Sequence, residues 1–271
     1  MKCFDVRLKV KGKPSHIELV SFCCDHFGHK ACDRKRLKGW RDWVLRGPNR
    51  YAFHLGDMME NAIPGDEVHN SMMWDSDKHP EDQYREAADF WRPLAEAGKL
   101  LVTMDSNHAW RTEAKTGRSV AKELNVFLQG QRLEKTYTDP LPDALPRWGR
   151  WQALTKLHVG RQEYMIHSWH GSGGATTPES ALRKCREQER HQPADVYLMG
   201  HFHQPIAWGK EYHVFSANGM DAEARQRWFG VTGGFLGWHD TYAERAGYGP
   251  NRRSAIVIKL GVKDWDVKLT T

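Results

Sequence analysis

The apolar residues of this chain follow two spacings, and each spacing predicts a different kind of element. Short apolar runs bounded by glycine, proline or polar residues are typical of buried strands. They cover residues 16–24, 51–55, 99–104, 151–159, 162–169 and 195–199. Apolar residues three and four positions apart predict helices, and these cover a segment capped by Asp33 and residues 80–97, 119–128 and 178–190. Residues 206–269 are expected to form mostly short strands, so the whole pattern predicts an α/β fold.

Polar side chains follow five of these predicted strands at the point where each strand ends. The five clusters are Cys24-Asp25-His26, Gly56-Asp57, Asn107-His108, His170-Gly171 and Gly200-His201-Phe202-His203. Ligands of open α/β proteins bind in the crevice beyond the carboxyl ends of the strands. A layered fold can therefore gather these five clusters into one site, whatever their separation along the chain.

Taken in order, the five clusters resemble the motifs of calcineurin-like metallophosphoesterases, which read DxH, GDxx, GNH, HG and GHxH. The match runs from about Ile17 to Gln204, which is most of the chain. The resemblance implies a four-layer α/β fold, in which two mixed β-sheets pack face to face and are flanked by helices. It also implies a single domain over residues 1–271, with rim insertions near 61–80 and 110–147 that select the substrate.

The family holds two metal ions, which clamp a phosphate ester, activate a bridging water and stabilise the leaving alkoxide. The resemblance implies that Asp57 bridges the two ions. The first ion is expected to bind the first motif (Cys24 and His26) together with His203, and the second to bind Asn107, His170 and His201. His108 matches the histidine that contacts the phosphate or protonates the leaving oxygen. Arg111 and Asn107 are candidate substrate contacts, and a solvated surface charge is the alternative for Arg111.

The first motif departs from the family pattern, because Cys24 stands where the family has its first aspartate. If the strand continued, Cys24 and His26 would share one face and Asp25 would point the other way. We therefore favour Cys24 as the ligand, with Asp25 or an inert buried thiol as alternatives. A thiolate favours iron or zinc over magnesium, so Mn, Fe and Zn, divalent or trivalent, are the candidate ions. Ser106 and Ala109 also differ from the family's GNHE, and Ala109 removes a supporting carboxylate.

The composition of the chain bears on its cellular location, the state of its cysteines and its binding partners. The chain has 271 residues, and no apolar run approaches the roughly 20 residues that span a bilayer. The start of the chain lacks the apolar block of a signal peptide, so we expect a cytoplasmic protein with no membrane partner. Its five cysteines suggest reduced thiols rather than a disulfide framework. The net charge of +6 suits a phosphate-ester substrate and leaves nucleic acid as a candidate partner.

Four other functional classes compete with the phosphoesterase hypothesis. The chain lacks the HxHxDH motif of metallo-β-lactamase-like enzymes. It also shows no pattern of the eight βα units that form an amidohydrolase-type barrel. A catalytically silent scaffold for protein binding is favoured only by Cys24 and Ala109. A nuclease within the same fold would also use the basic charge. The six polar groups retained at the strand ends favour a two-metal phosphodiesterase or phosphomonoesterase, because burying such groups without a ligand is costly.

Overall fold

The computed structural model of this chain describes residues 1–63, 76, 78–130, 146–215, 219–245 and 247–271. The strands within these ranges are β1 Lys2–Arg7, β2 His16–Phe22, β3 Arg50–His54, β4 Leu100–Thr103, β5 Arg147–Trp148, β6 Gln152–Val159, β7 Gln162–Trp169, β8 Val196–Met199, β9 Ile206–Phe215, β10 Ala222–Val231, β11 Ile256–Gly261 and β12 Val267–Thr270. The helices are α1 Arg34–Arg46, α2 Pro80–Glu96, α3 Asn107–Thr116, α4 Val120–Leu128, α5 Pro178–Glu187 and α6 Tyr242–Arg245, with a 3-10 turn at Gln188–Arg190.

The described strands form two six-stranded mixed sheets. The order in the first sheet is β1-β6-β7-β8-β10-β9, and the order in the second is β12-β11-β2-β3-β4-β5. In the second sheet β2, β3, β4 and β5 run parallel, whereas β11 runs antiparallel to both of its neighbours, β2 and β12. In the first sheet β7, β8 and β10 run parallel to one another. The carboxyl ends of β2, β3 and β4 therefore share one edge of their sheet, as do those of β7 and β8 in theirs.

The two sheets pack face to face, and this packing positions the strand ends. The main core between them joins side chains from both sheets, including Leu19 and Phe53 from one and Leu157 and Ile166 from the other. A second core packs α1, α2 and α4 on the outer face of the second sheet. A third core packs α5 on the outer face of the first sheet. The predicted four-layer α/β fold class is therefore confirmed.

Polar caps fix where several helices begin. The Asp33 carboxylate accepts from the Arg36 backbone N–H at 3.0 Å, as the sequence predicted. Ser106 caps α3 by accepting from Ala109 N–H at 3.3 Å. A side-chain oxygen at this position satisfies a backbone donor that the helix leaves unpaired. Ser106, which replaces the family's glycine, therefore has a local structural role in starting the helix that carries Asn107 and His108.

Some elements differ from the sequence prediction. Strand β1 was not predicted, because four of its six residues are exposed at a sheet edge. Helix α3 was not predicted as a helix, because its ten residues are mostly polar. Strand β2 ends at Phe22 rather than at Cys24. Strands β9 and β10 are ten residues each and form a long hairpin, so this part of the chain is not built of short strands only.

The predicted rim insertions lie partly outside the described residues. Of the segment near 61–80, residues 64–75 and 77 lie outside; of the segment near 110–147, residues 131–145 do. The described part of the second segment contains the rest of α3 and all of α4. The role of both segments in substrate selection stays a prediction. None of the described helices is long and apolar enough to cross a bilayer.

Candidate metal centre

The carboxyl ends of five strands, three from one sheet and two from the other, meet at one buried site. The loops after these strands carry the predicted ligands, and the structure brings all of them together: Cys24, His26, Asp57, Asn107, His170, His201 and His203. Their sequence separation reaches 179 residues, so only the stacked sheets can place them side by side. The site is thus a product of the fold rather than of any local motif.

Asp57 lies at the centre of this cluster. Its Oδ2 atom is 3.2 Å from His170 Nε2, 4.0 Å from His26 Nε2 and 4.0 Å from Cys24 Sγ. Its Oδ1 atom accepts from the backbone N–H of His108 at 3.4 Å, at the start of α3. One carboxylate oxygen therefore faces both predicted ligand groups, which is the position a bridging ligand requires.

The first ligand group contains Cys24, His26 and His203. One donor atom from each lies within 4.8 Å of the other two. His26 Nε2 and His203 Nε2 are 3.3 Å apart. The Nδ1 atom of His26 lies 2.8 Å from a carboxylate oxygen of Glu60, so Nδ1 donates to Glu60 and Nε2 is the nitrogen that faces the site.

The second ligand group contains Asp57, His170 and His201, whose donor atoms also lie within 4.8 Å of one another. His170 Nδ1 donates to the carbonyl of Leu55 at 2.7 Å, which leaves Nε2 as the atom facing the site. That Nε2 atom lies 2.9 Å from Asn107 Oδ1 and 3.2 Å from Asp57 Oδ2. In neutral His170 three lone-pair atoms would face each other, so these contacts call for either a proton or a metal ion at Nε2.

His201, like His170, has one ring nitrogen fixed by a backbone carbonyl. Its Nε2 atom donates to the carbonyl of Gly173 at 2.9 Å, so Nδ1 is left as the lone-pair atom. Burial and the neighbouring His170 lower the pKa of His201 to about 4. Burial and His26 hold the pKa of His203 well below its usual range. Both rings are therefore neutral near pH 7, which is the form that binds metal.

Charged neighbours shift the pKa values of Asp57 and His170. Burial opposes ionisation of Asp57, but His108 and His170 hold its pKa well below the ordinary value. Burial likewise opposes protonation of His170, but Asp57 and Cys23 raise its pKa well above the ordinary value. An ionised carboxylate, the neutral rings of His201 and His203, the ring of His170, an amide oxygen and a thiol converge within a few ångströms. A bound cation would replace the proton of His170. These residues fit a pair of transition-metal ions such as Zn, Fe or Mn.

The backbone at the site adopts a conformation that ordinary residues avoid. Among the described residues, eight that are not glycine have positive φ. Five of them are predicted ligands: Cys24, His26, Asp57, His201 and His203. Such a conformation costs on the order of 1–3 kcal/mol per residue and clusters at functional sites. The surrounding structure therefore holds these side chains in place against their local preference.

Two glycines permit the close approach of the ligand loops. At Gly56, φ is +104°, and a Cβ atom would lie 2.8 Å from the carbonyl oxygen of Asp105 and 2.9 Å from His170 Nδ1. At Gly234, a Cβ atom would lie 2.9 Å from the ring of His203 and 3.1 Å from Cβ of Cys24. Gly234 belongs to the glycine-rich run after β10, which thus packs directly against the first ligand group.

The side chains of Cys24 and Asp25 point to different parts of the structure, and their positions favour Cys24 as the ligand. Asp25 Oδ2 accepts from His54 Nε2 at 2.9 Å and from Trp91 Nε1 at 2.8 Å, within the layer between β3 and α2. Cys24 faces Asp57. The sequence favoured Cys24 because alternate residues of a strand share a face. That reason was wrong, because β2 ends before Cys24. The positive φ angles of Cys24 and His26 turn both side chains into the site instead.

Cys23 lies beside Cys24 and was not predicted to take part. The two sulfur atoms are 3.1 Å apart, and Cys23 Sγ lies 3.6 Å from His170 Nδ1. Burial opposes ionisation of Cys23, but the contacts with Cys24 and His170 lower its pKa to about 5. Burial and the neighbouring Cys23 raise the pKa of Cys24 well above the ordinary value. A cation bound at Cys24 would reverse that shift, because coordination deprotonates a thiol.

We predict that Cys24→Asp shifts the metal preference of the site towards Mn²⁺ and Mg²⁺, because a carboxylate is a harder ligand than a thiolate. Competitive titrations of the purified protein with Zn²⁺ and Mn²⁺ measure this preference. Cys185→Ala, which alters a buried cysteine in another core, is the control and should leave it unchanged. If Cys24→Ala keeps the same metal content and affinity as the wild type, Cys24 is not a ligand.

His108 and Arg111 lie together on α3, next to Asp57. His108 Nδ1 donates to the backbone carbonyl of Glu60 at 2.6 Å, and its Nε2 accepts from Arg111 at 3.1 Å. Burial lowers the pKa of His108 to about 3, although Asp57 and Glu60 oppose this shift. Arg111 is only 7% exposed, so it is not the solvated surface charge considered as its alternative. In this arrangement Arg111 is the proton-bearing group and His108 Nε2 is an acceptor.

Glu60 was missed by the sequence reasoning, although it stands three residues after Asp57. It is fully buried, and one of its carboxylate oxygens holds His26 at 2.8 Å. Its backbone carbonyl accepts from both His108 and Arg111. Burial opposes its ionisation, but His108 and His26 lower its pKa to about 2. Glu60 therefore supplies a supporting carboxylate where Ala109 lacks one.

We predict that Glu60→Gln lowers metal affinity about tenfold, because a carboxylate bonded to the far nitrogen of a ligand histidine fixes the ring and raises its basicity. A chelator competition assay measures the change. Glu113→Gln is the control, since Glu113 lies on α3 but pairs with Arg150 at 3.4 Å. Equal affinity in the two variants would show that Glu60 does not support the site.

Comparison with solved structures finds several chains to which this one is similar. The chain is similar to Vps29 of Chaetomium thermophilum, at 13% identity and a TM-score of 0.37, covering 94% of this chain and 97% of that one. It is similar to a metallophosphoesterase from Sphaerobacter thermophilus, at 14% identity and a TM-score of 0.39, covering 90% and 84%. It is also similar to the NAD nucleotidase of Haemophilus influenzae, at 8% identity and a TM-score of 0.37, covering 94% of this chain and 49% of that one.

No family model matches the chain, and no curated protein matches it by sequence. The two mixed sheets with flanking helices are established by the strand order and packing of this chain itself. Because the TM-scores are low, the chemistry below rests on the side chains of this chain alone.

Proposed function

We propose that this chain is a metal-dependent hydrolase of phosphate esters, with the two ligand groups around Asp57 as its centre. One observation carries the proposal: His26, His170 and His201 each place a ring nitrogen in the two ligand groups around Asp57, and the other nitrogen of each ring is fixed by a hydrogen bond. Several nitrogen donors held around one carboxylate are suited to bind cations. A pair of them supplies Lewis acidity towards a phosphoryl oxygen.

The residues that would hold the ions divide into two groups around a shared carboxylate. Cys24, His26 and His203 form the first, Asn107, His170 and His201 form the second, and Asp57 serves both. Asp57 is held by the N–H of His108 at the start of α3. Because a helix N-terminus favours negative charge, this bond also keeps the carboxylate ionised.

Arg111 and His108 are the groups that would act on the substrate. Arg111 carries its charge in a buried position beside His108, and its guanidinium is suited to donate to a phosphoryl oxygen. Such a contact would release His108 Nε2 from Arg111. His108 would be able to donate to the leaving oxygen only after Nε2 gains a proton, because Nδ1 already donates to the carbonyl of Glu60.

The alternative of a catalytically silent scaffold keeps two observations in its favour, Cys24 and Ala109. Metal content and turnover together decide between the two hypotheses. We expect purified protein loaded with Mn²⁺, Fe²⁺ or Zn²⁺ to bind close to two ions per chain and to hydrolyse bis(p-nitrophenyl) phosphate or p-nitrophenyl phosphate. Less than one ion per chain and no turnover with any of the three metals would favour the scaffold.

The relative rates on the two chromogenic esters would assign the chain as a diesterase or a monoesterase. Both substrates release the same p-nitrophenolate, so a difference in rate reports the number of ester groups on phosphorus and not the leaving group. The position of Arg111 suits either substrate, since both carry an anionic phosphoryl oxygen.

A further inference from the structure

Asp25 lies between two predicted ligands along the chain, but its side chain turns away from the metal centre. Its Oδ2 atom accepts from His54 Nε2 at 2.9 Å and from Trp91 Nε1 at 2.8 Å, and all three residues are fully buried. Its Oδ1 atom has no hydrogen-bond partner among the described residues. Burying a polar group in this way is costly, and an apolar side chain would fill the same space without that cost. The position therefore calls for a role beyond packing.

The His54 ring connects Asp25 to the loop after β3, which carries the shared ligand of the centre. His54 Nδ1 accepts from the backbone N–H of Gly56 at 3.2 Å. A ring nitrogen that accepts must hold a lone pair, so the ring proton lies on Nε2 and is donated to Asp25. In the other tautomer, the N–H at Nδ1 would face the N–H of Gly56, and this contact would be lost. Asp25 thus selects the tautomer of His54 that can hold Gly56.

The Gly56 peptide connects this contact to both ligand groups. Its carbonyl accepts from the backbone N–H of Cys24 at 3.0 Å. Asp57 is the next residue along the chain, and Cys24 is joined covalently to Asp25. The contacts that run from Asp25 through His54 and Gly56 to Cys24 therefore close into a hydrogen-bonded cycle. This cycle fixes the loop after β2 against the loop after β3.

The hydrogen-bonded cycle contains or adjoins backbone that ordinary residues avoid. The φ angles of Cys24 and Asp57 are 56° and 54°. Residues other than glycine persist in such a conformation only where the surrounding structure fixes them. If the cycle opened, both loops would be free to relax towards ordinary φ values. The Cys24 thiol and the Asp57 carboxylate would then leave the positions in which they face each other at 4.0 Å.

We propose that Asp25 is a positioning residue of the metal centre, which acts by selecting the tautomer of His54 that holds Gly56. The Gly56 peptide in turn keeps Cys24 and Asp57 in their metal-binding geometry. This inference rests on the proposed function, because the geometry concerned is that of the proposed metal ligands. Carboxylates commonly support metal sites by bonding the far nitrogen of a ligand histidine. Here the histidine is not a ligand, and the group that it holds is a backbone N–H beside the shared ligand.

Nitrogen-15 NMR of the His54 ring in the metal-free wild-type protein tests the first step. His54→Gln identifies the signals by their loss. We expect Nε2 to carry the proton and Nδ1 to be an unprotonated acceptor. A proton on Nδ1 together with normal metal binding would overturn this inference alone. Absence of metal binding by the wild-type protein would overturn the proposed function and this inference with it.

Variants of Asp25 test the second step, with Zn²⁺ affinity measured by chelator competition and unfolding measured on the same samples without metal. Asp25→Leu keeps the branched shape of the side chain but accepts no hydrogen bond. We expect it to bind Zn²⁺ about tenfold more weakly, as for the loss of other groups that orient metal ligands. Asp25→Asn should stay close to the wild-type affinity, because its amide oxygen can still accept from His54 and Trp91.

Trp91→Phe is the matched control for these variants. It removes the other donor to the same Asp25 oxygen and disturbs the same core, but it leaves His54 paired with Asp25 and Gly56. We expect Trp91→Phe to lower the stability of the fold and to leave the Zn²⁺ affinity unchanged. If the role of Asp25 were merely structural, affinity would follow stability in all of the variants.

The results that would overturn the proposal follow from this comparison. One is unchanged Zn²⁺ affinity in folded Asp25→Leu, and another is an equal loss of affinity in Asp25→Asn and Asp25→Leu. If Asp25→Leu fails to fold, His54→Phe decides in its place, because it removes the acceptor of the Gly56 N–H directly. We expect a similar loss of affinity in that variant, and wild-type affinity would overturn the proposal.

Discussion

Replacing Asp57 with Asn is expected to abolish phosphoester hydrolysis and to weaken binding of both metal ions. Asp57 Oδ2 faces His170 at 3.2 Å and both His26 and Cys24 at 4.0 Å, so its charge serves both ligand groups. An amide keeps the shape of the side chain and removes that charge. Several kcal/mol of charge stabilisation corresponds to a rate loss of about 10³-fold or more. Metal analysis and steady-state rates on bis(p-nitrophenyl) phosphate measure the two effects.

Asp105→Asn is the matched control for this substitution. Asp105 is also a buried aspartate after a strand of the same sheet, but its Oδ1 atom accepts from Trp148 Nε1 at 3.0 Å. Burial raises its pKa to about 6, and its carboxylate belongs to neither of the two ligand groups around Asp57. Metal content should survive in this variant. Two bound ions and full activity in Asp57→Asn would show that Asp57 is not the shared ligand.

Replacing His108 with Ala is expected to lower the rate about 100-fold or more while the metal content stays near that of the wild type. The imidazole bonds the Glu60 carbonyl at 2.6 Å and Arg111 at 3.1 Å, and His108 belongs to neither of the two ligand groups, although its Nε2 lies 3.9 Å from Asp57 Oδ2. It also lies within a third buried group with His26 and Glu60. Loss of a positioned proton-transfer or hydrogen-bonding group costs about 10²–10⁴-fold.

His108 can contribute by holding Arg111 or by acting on the leaving oxygen, and His108→Ala removes both contributions. Comparison with Arg111→Met separates them. If His108 acts mainly by holding Arg111, both variants should raise KM and lower kcat to a similar extent. If His108 acts on the leaving oxygen, His108→Ala should lose most of its activity on esters with poor leaving groups and much less on p-nitrophenyl esters. Unchanged activity of His108→Ala on every ester would refute its assigned role.

The sequence was sufficient to predict the fold class and the order of the motifs, because each motif follows a run of apolar residues that forms a buried strand. Strands β2, β3, β4 and β8 are buried almost throughout, so their apolar runs are continuous and easily recognised. Cooperative packing of the two sheets then determines which ends meet. The residues of the five clusters could be identified without knowledge of that packing.

Other features depend on contacts between distant parts of the chain and have no local signal. The partners of Asp25 are His54 and Trp91, and the second of these is 66 residues away. The role of Glu60 depends on the position of His26. The positive φ angles at Cys24 and Asp57 likewise follow from tertiary packing, because neither residue type favours that conformation enough to predict it.

Anomalous diffraction from crystals of the protein grown with Zn²⁺ or Mn²⁺ tests the central claim most directly. A two-metal site places its ions about 3.5–4 Å apart. We predict two peaks at that separation on either side of Asp57, one next to His26 and His203 and the other next to His170 and His201. Peaks only at the surface, or a single peak that does not contact Asp57, would contradict the account.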